Sequence, residues 1–259
     1  MEFGTLAGIG AIFGAVVVSM VLEGNSPMSI ILLPALLLVF VGSFGAAMAG
    51  TLISDLPAVL RDAKKAFVGK PVDAQKSIKS IVAMADLARR QGLLALEEMV
   101  RDVEDPLLRE GIEMTVDGTD PEEIGEIIEA KIIAKKADDK VGINFFGSMG
   151  GYAPTLGIIG TVIGLIHVLG NLSSPEKLGG LIASAFVATL WGVLSANAIW
   201  LPISCKLKRM SELEIAQMEM VLEGVLAVQS GTNPRLVELK LRSILPAVPV
   251  KGEVKAEAA

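Results

Sequence analysis

Two long charge-free runs in the second half of the chain constrain what it can fold into. No Asp, Glu, Lys or Arg occurs between Lys140 and Glu176, and none occurs between Lys177 and Lys206. A bilayer crossing needs about 20 largely apolar residues, and each run exceeds that length. A backbone in lipid must satisfy its own hydrogen bonds, so such runs are expected to be helices. The chain is therefore predicted to be an integral membrane protein.

Two further apolar segments, nearer the N-terminus, bring the predicted number of spans to four. The first is Phe3–Leu22, and it opens with Met1-Glu2 rather than with a basic region, which disfavours a secretory signal. The second has its core at Ile30–Leu52. The third and fourth spans have their cores near Gly147–Leu172 and Leu178–Ser204. Apolar residues make up 52% of the chain, and the predicted fold is all-α.

The charges between and after the spans predict the topology. The two short links carry little positive charge, whereas Asp55–Lys140 is rich in Lys and Arg, and Lys206, Lys208 and Arg209 follow the fourth span. Lys and Arg mark the cytoplasmic side, so both termini and the long middle segment are expected in the cytoplasm. The predicted parts are a membrane hairpin at 1–54, a cytoplasmic helical domain at 55–140, a second membrane hairpin at 141–205, and a cytoplasmic C-terminal helix and tail at 206–259.

The cytoplasmic segments are predicted to be helical. Apolar residues recur at roughly helical spacing over Ser80–Val103, and Pro106 breaks that pattern. The sequence Thr119-Asp120-Pro121-Glu122-Glu123 predicts a helix start, with Asp or Thr as the cap, Pro in the first turn and two acids at the positive end of the helix dipole. The helix, Glu122–Lys140, is expected to run straight into the third span. Further helices are predicted at Met210–Val228 and Asn233–Leu245, and disorder at Pro246–Ala259.

Each charge-free run carries a proline toward its cytoplasmic end and a threonine near mid-membrane. The prolines are Pro154 and Pro202, and the threonines are Thr161 and Thr189. A proline in a span frees a backbone carbonyl. Prolines are common in membrane helices, but two at matching depth on adjacent spans favour a functional role.

The side of the third helix that carries Pro154, Gly157, Thr161 and Gly164 has two interpretations. Hydroxyl and carbonyl oxygens suit a hard cation. Equally, threonine can bond to its own helix, and glycine serves helix packing. Neither run holds a carboxylate, so a polar lining here indicates an ion path whose titratable residue belongs to another chain.

The remaining singular residues point to packing rather than to chemistry. His167 lies about 120° from Thr161 around the helix, and packing or an interfacial hydrogen bond is favoured over a proton relay. Trp200 is expected to anchor the membrane interface and Trp191 to pack between helices. One His and one Cys, Cys205, exclude a metal cluster and an internal disulfide. No nucleophile–base pair or phosphate loop is present, so an enzyme is not expected.

Four charged residues stand out in the cytoplasmic segment: Arg89, Arg90, Glu97 and Glu98. Arg89 and Glu97 are eight residues apart, roughly two helical turns, which would place them on neighbouring faces. Such charges are usually a solvated surface of little consequence for stability. A specific role for them depends on more than their spacing.

Three sequence stretches, together with the order of two spans, a cytoplasmic domain and two spans, carry a family resemblance. The chain resembles the MotA/PomA family of flagellar motor stator subunits over nearly its whole length. The stretches are Arg89 with Gly92-Leu93-Leu94-Ala95-Leu96-Glu97, then Tyr152-Ala153-Pro154-Thr155-Leu156-Gly157-Ile158-Ile159-Gly160-Thr161-Val162-Ile163-Gly164-Leu165, and Ala188-Thr189-Leu190-Trp191-Gly192 with Leu201-Pro202.

The resemblance implies a bacterial inner-membrane protein that forms a pentamer around two copies of a single-span MotB/PomB-type partner. Ion flow past the partner's membrane aspartate would turn the pentamer, and the cytoplasmic domain would push the rotor protein FliG. No cofactor and no nucleic acid is implied; the transported species is sodium or a proton.

The resemblance also implies roles for individual residues. Arg89 and Glu97 would contact the rotor, and Arg90 and Glu98 could share that role. Pro154 and Pro202, with Gly157, would shape and couple the ion path, and Thr161 and Thr189 would be sodium ligands. Thr161 favours sodium weakly, because proton-driven members often carry a small apolar residue there. Trp191 stands where some members have Tyr.

Two other functions are compatible with parts of the pattern. An ExbB/TolQ-like energiser of an envelope protein usually has three spans, whereas four are predicted here. A membrane scaffold without ion flux would need Thr189 and Pro154 only for stability.

Overall fold

The computed structural model describes residues 4–69 and 74–245, which form helices joined by short turns and contain no β-strand. The chain forms two compact units, Met1–Lys70 with Asp138–Arg209, and Pro71–Ala137 with Met210–Ala259. Residues 55–69 and 138–140 of the predicted cytoplasmic segment therefore group with the membrane hairpins. The predicted disorder at Pro246–Ala259 lies outside the described residues.

The helices, in chain order, have the following bounds. They are α1 Gly4–Leu22, α2 Leu33–Ala49 with a π-helical turn at Leu37–Val41, α3 Leu56–Val68, α4 Ala74–Gln91, α5 Leu96–Val100, α6 Pro106–Val116, α7 Pro121–Leu169, α8 Pro175–Gln229 with a π-helical turn at Ala196–Trp200, and α9 Pro234–Ile244. Short 3-10 turns lie at Pro27–Ile30, Ile53–Asp55 and Leu93–Ala95.

Three of these helices, α1, α7 and α8, are long and apolar enough to cross a membrane. A fourth span is obtained if α2 and the helical segment Ile53–Val68, which meet at a bend of 113°, are counted together. Helix α2 alone is about 25 Å long at 1.5 Å per residue, near the thickness of a hydrocarbon core. The predicted second span, Ile30–Leu52, is thus shortened at both ends, by the 3-10 turn at Pro27–Ile30 and by the bend after Ala49.

The first unit has an apolar core near the ends of the charge-free runs, where the charged residues of α7 and α8 begin. Its core side chains come from α2, α3, α7 and α8: Ala47, Val59, Ala66, Phe145, Phe146, Met149, Ile203 and Leu207. Ion pairs fasten α3 to α7 beside this core, from Arg61 to Asp138 at 2.8 Å and from Lys65 to Asp139 at 3.7 Å. The side-chain hydrogen bond from Arg61 to Asp62 is the main cause that raises the pKa of the Arg61 guanidinium.

The second unit packs α4, α5, α6 and α9 around the charged parts of α7 and α8. Its core includes Ile78, Ile81, Met84, Leu96, Leu108, Ile112, Ile124, Ile128, Met220, Val221, Val225, Val237 and Leu241. Asp105 joins three of these helices, because its Oδ1 accepts from the Leu107 and Leu108 amides and its Oδ2 accepts from Ser77 and, at 3.0 Å, from Gln217. Burial of this apolar set is the main force holding the unit together.

The long-helix predictions are confirmed and one shorter prediction is wrong. The helix predicted at Glu122–Lys140 does run into the third span as α7, and the helices predicted at Met210–Val228 and Asn233–Leu245 correspond to the end of α8 and to α9. The predicted helical stretch Ser80–Val103 is interrupted. Helix α4 ends at Gln91 because Gly92 adopts a φ of 88°, a left-handed conformation that glycine alone adopts readily.

Candidate ion path and charged surface

Small residues bring α7 and α8 into close contact along the hairpin. A Cβ on Gly157 would lie 2.9 Å from the Ala188 carbonyl oxygen, and one on Gly192 would lie 2.6 Å from the Ala153 carbonyl oxygen. In lipid no hydrophobic force drives two helices together, because the lipid tails are as apolar as the side chains. Close backbone approach of this kind therefore stabilises a helix pair through van der Waals packing. The contact therefore fixes which side chains of the two spans face each other.

Thr161 and Thr189 meet inside this contact. Their hydroxyl groups hydrogen-bond to each other, and Thr161 Oγ1 also lies 3.2 Å from both the Gly157 and the Ala185 carbonyl oxygens. Thr189 Oγ1 lies 3.3 Å from the Gly157 carbonyl oxygen. The four oxygen atoms of this group, which we call the threonine cluster, come from Thr161, Thr189, Gly157 and Ala185. The prediction that Pro154, Gly157, Thr161 and Gly164 share one side of the third span holds, and that side faces α8.

The threonine cluster has two chemical uses. Each hydroxyl has one proton and at least one acceptor within reach, so the folded chain satisfies both donors internally. The same four oxygens are neutral ligands of the kind that a hard cation takes. Among the described residues no group of three or more Asp, Glu, His or Cys could hold a metal ion. The two charge-free runs that carry these oxygens, 141–175 and 178–205, contain no Asp or Glu.

The two prolines lie at different depths, contrary to the prediction of matching depth. Pro154 packs beside Gly192, since a Cβ on Gly192 would lie 3.2 Å from Pro154 Cα. Leu201, next to Pro202, instead lies opposite Gly150, whose Cβ would be 3.5 Å from the Leu201 nitrogen. Along α7 the contact moves by four residues, from Pro154 to Gly150, which is about 6 Å of helix. Pro202 is the proline nearer the charged end of the hairpin.

A π-helical turn precedes Pro202. It spans Ala196–Trp200, and the Leu201 amide bonds to the Ala196 carbonyl, five residues back. A proline ring clashes with the carbonyl four residues earlier, and a one-residue widening of the helix relieves that clash. The sequence alone does not show whether the helix accommodates Pro202 by a π-helical turn or by a kink.

An aromatic cluster joins α1 and α2 to α8, and the sequence did not predict its hydrogen bond. Trp191 packs against Phe13 and Phe40 with ring centroids 6.1 and 5.9 Å apart, and its indole nitrogen donates to the Ile30 carbonyl at 2.6 Å. Trp191 thus packs between helices, as predicted. The ring of Trp200, the predicted interface anchor, packs on Phe40, and its indole nitrogen is buried.

His167 is exposed near the outer end of α7. Its backbone carbonyl accepts a hydrogen bond from the Asn171 side chain at 2.8 Å. In the described part of the chain its imidazole has no hydrogen-bond partner. The structure therefore adds nothing that would place His167 in a proton relay.

The four charged residues of the second unit lie around the turn between α4 and α5, not on one helix. Arg89 and Arg90 close α4, and Glu97 and Glu98 open α5. The expected two-turn spacing is wrong because Gly92 and the 3-10 turn Leu93–Ala95 intervene. All four side chains are exposed. Positive charge at a helix C-terminus and negative charge at an N-terminus both complement the helix dipole.

The structure distinguishes the members of each charged pair. Arg90 pairs with Asp86 at 3.0 Å, and Glu97 lies 3.9 Å from Arg101. Within residues 4–69 and 74–245, Arg89 and Glu98 form no ion pair. Of the two arginines and the two glutamates, Arg89 and Glu98 are therefore the ones that break no ion pair when they bind a partner.

Comparison with known proteins identifies the family. The chain is 38% identical to motility protein A of Bacillus subtilis strain 168 over 95% of this chain and 92% of that protein. It is a member of the motility protein A family. Residues 99–220 also match the MotA/TolQ/ExbB proton channel family, and the chemotaxis protein PomA of Vibrio alginolyticus is 32% identical over 95% of this chain and 96% of that protein.

The fold agrees with this membership. The solved structure of the flagellar MotAB stator complex from Bacillus subtilis matches with a TM-score of 0.87 at 37% identity, covering 94% of this chain and 96% of that one. The structure of C. jejuni MotAB matches with a TM-score of 0.91 at 31% identity, covering 95% and 97%. The resemblance to the MotA/PomA family is thereby confirmed, and with it the all-helical fold.

Proposed function

We propose that this motility protein A family member is a flagellar motor stator subunit that, with a MotB-type partner, converts ion flow into torque on the rotor. The observation that carries the proposal is the threonine cluster, a set of four oxygens between two spans that hold no carboxylate. A site that can contact a cation but cannot neutralise it requires a second chain. The solved relatives are MotAB complexes, which supplies the class of that chain.

The geometry supports a multi-pass inner-membrane topology with both termini in the cytoplasm. Within the first unit, Lys206 Nζ donates to Thr5 Oγ1 at 2.7 Å, so the beginning of α1 lies level with the charged end of the fourth span. That end carries Lys206, Lys208 and Arg209. Since Lys and Arg mark the cytoplasmic side, the beginning of α1 belongs there as well.

The mechanism follows from the cost of charge in lipid. A cation enters from outside and binds the partner's carboxylate, which lowers the cost of carrying that charge past the apolar walls of α7 and α8. The hydroxyls of Thr161 and Thr189 turn their lone pairs toward the ion during transfer, and the carbonyls of Gly157 and Ala185 can complete the set. Pro154 and Gly157 shape the hairpin at this level, and Pro202 shapes its inner end.

Torque then requires a contact that forms and breaks repeatedly. Exposed charges steer encounter and set register more than they give affinity, which suits Arg89 and Glu98, with Arg90 and Glu97 in support. The rotor protein FliG is the proposed counterpart. We further propose five copies of this chain around two copies of the partner.

The ion is tested by swimming speed against sodium concentration at fixed pH and ionic strength. The assay uses stator-deleted cells that express this chain with its cognate partner. We expect a speed that rises and saturates with sodium, because the threonine cluster presents oxygen ligands rather than an ionisable group. A speed indifferent to sodium would make the transported ion a proton and leave the threonines as packing residues or as part of a water chain. Cells that do not swim at all, despite membrane insertion of both chains, would contradict the stator assignment.

A further inference from the structure

The turn between α4 and α5 carries an apolar side chain at its most exposed point. Leu94 is 75% exposed, the highest value for a large apolar residue in the described part of the second unit. Its neighbours in sequence behave differently, because Leu96 is fully buried and Leu93 is half-buried against the core. Single exposed leucines are common on protein surfaces, so exposure alone is not informative. The setting of Leu94 is what distinguishes it.

The turn that carries Leu94 is held by the backbone on both sides. The Gly92 amide donates to the Ala88 carbonyl at 2.8 Å, and the Ala95 amide donates to the Gly92 carbonyl at 3.3 Å. The Leu96 amide closes the turn on the Leu93 and Leu94 carbonyls. A leucine held on a turn of this kind loses little conformational freedom when it binds, which favours affinity.

Charges of opposite sign flank the leucine. The basic end of α4, with Arg89, precedes it by a few residues, and the acidic beginning of α5, with Glu98, follows it. A central apolar anchor inside a polar, charged rim is the usual arrangement of a protein–protein contact. The order of charges also specifies a partner, since its surface must be acidic on the α4 side and basic on the α5 side.

We propose that Leu94 is the apolar anchor of the rotor contact, and this inference rests on the function proposed above. The occupant of the surface is the rotor protein, which presents an apolar pocket for Leu94 between a carboxylate that faces Arg89 and a basic group that faces Glu98. The charges provide fast, repeated encounter, and the leucine provides the affinity that exposed charges lack.

The first test is site-specific photocrosslinking in motile cells. A photoreactive phenylalanine derivative replaces Leu94 in one strain and Leu239, which is 61% exposed on α9, in the control strain. We expect a covalent product with the rotor protein from position 94 and none from position 239. A product with a second copy of this chain, or no product at all from position 94, would overturn the proposal.

The second test measures affinity. The purified full complex of this chain and its partner is titrated with the rotor protein, using Leu94→Ser, Leu94→Met and the control Leu239→Ser. We expect Leu94→Ser to raise the dissociation constant about tenfold, a typical loss for an interface anchor, while Leu94→Met and Leu239→Ser change it little. Equal affinity of Leu94→Ser and wild type would overturn the inference yet leave the stator function intact, provided that the wild-type chain restores swimming. Failure of the wild-type chain to restore swimming would instead contradict the proposed function.

Discussion

At the scale of single residues, the threonine cluster decides how the membrane hairpin is interpreted. The hydroxyl of Thr161 reaches the Gly157 carbonyl of its own helix and the Ala185 carbonyl of the other, so one group serves both packing and a potential ion site. A substitution that keeps volume but removes the hydroxyl separates these roles. The chain offers a matched control in Thr155, whose hydroxyl donates only to its own helix, to the Tyr152 carbonyl at 2.7 Å.

Thr161→Val is expected to weaken ion use measurably while the complex still folds. Loss of one hydrogen bond costs about 1 kcal/mol of stability, whereas loss of an ion ligand worth about 1.4 kcal/mol raises the half-saturating sodium concentration about tenfold. Swimming speed against sodium measures the second effect, and thermal unfolding of the purified complex measures the first. Thr155→Val should leave the sodium curve unchanged. Identical sodium curves for Thr161→Val and Thr155→Val would rule the hydroxyl out of the ion path.

Arg89→Glu is expected to reduce torque more than Arg90→Glu. Arg89 has no ion pair in the described part of the chain, whereas Arg90 already pairs with Asp86, so the two reversals remove unequal amounts of free positive charge. We expect the two variants to differ about fivefold in the number of stator units engaged with the rotor, which corresponds to roughly 1 kcal/mol for an exposed contact. Torque on tethered cells measures the effect, with membrane levels of the assembled complex as the control. Loss of assembly in Arg89→Glu, or a larger defect in Arg90→Glu, would count against the assignment.

At the scale of elements, the α7–α8 contact depends on residues without side chains. A methyl group at Gly192 would lie 2.6 Å from the Ala153 carbonyl oxygen and 3.0 Å from Gly157 Cα, both of them backbone atoms that cannot rotate away. The helices can accommodate it only by separating, and separation would also pull Thr189 away from Thr161. The packing of the hairpin and the geometry of the threonine cluster are therefore one structural property.

Gly192→Ala is predicted to destabilise the assembled complex by about 1–3 kcal/mol, the usual range for an overpacked contact. Thermal unfolding of the purified complex measures this loss. Gly180→Ala is the matched control on the same helix, since a Cβ there meets nothing within 4 Å. We expect Gly192→Ala to melt at a lower temperature than wild type. We expect Gly180→Ala to melt at or above the wild-type temperature. Equal melting temperatures for the two variants would show that the helices do not pack this closely.

At the scale of the whole molecule, the arrangement of charged and uncharged segments predicts the topology. We expect Lys177→Cys to react with a membrane-impermeant maleimide in intact cells and Arg235→Cys to react only after lysis. Both are tested in a Cys205→Ser background, because Cys205 is the single cysteine and is exposed. The expected difference arises because Lys177 lies in the link between spans 3 and 4, while Arg235 follows the basic end of the fourth span. Labelling of position 235 in intact cells would reverse the orientation.

Sequence and tertiary structure contributed different information. The helical character, the long uninterrupted α7 and the facing of Pro154, Gly157 and Thr161 could be predicted, because they follow from hydropathy, from caps and from the 100° step of a helix, all of which are local. The pairing of Thr161 with Thr189, the hydrogen bond from Trp191 to Ile30 and the different depths of the two prolines depend on the register between distant helices. The periodicity of one helix does not determine how that helix is aligned with another. The close fit of Gly157, Gly192 and Ala185 determines the alignment. Likewise, the left-handed Gly92 divided a stretch that looked periodic, and only the folded turn showed that Leu94 is exposed while Leu96 is buried.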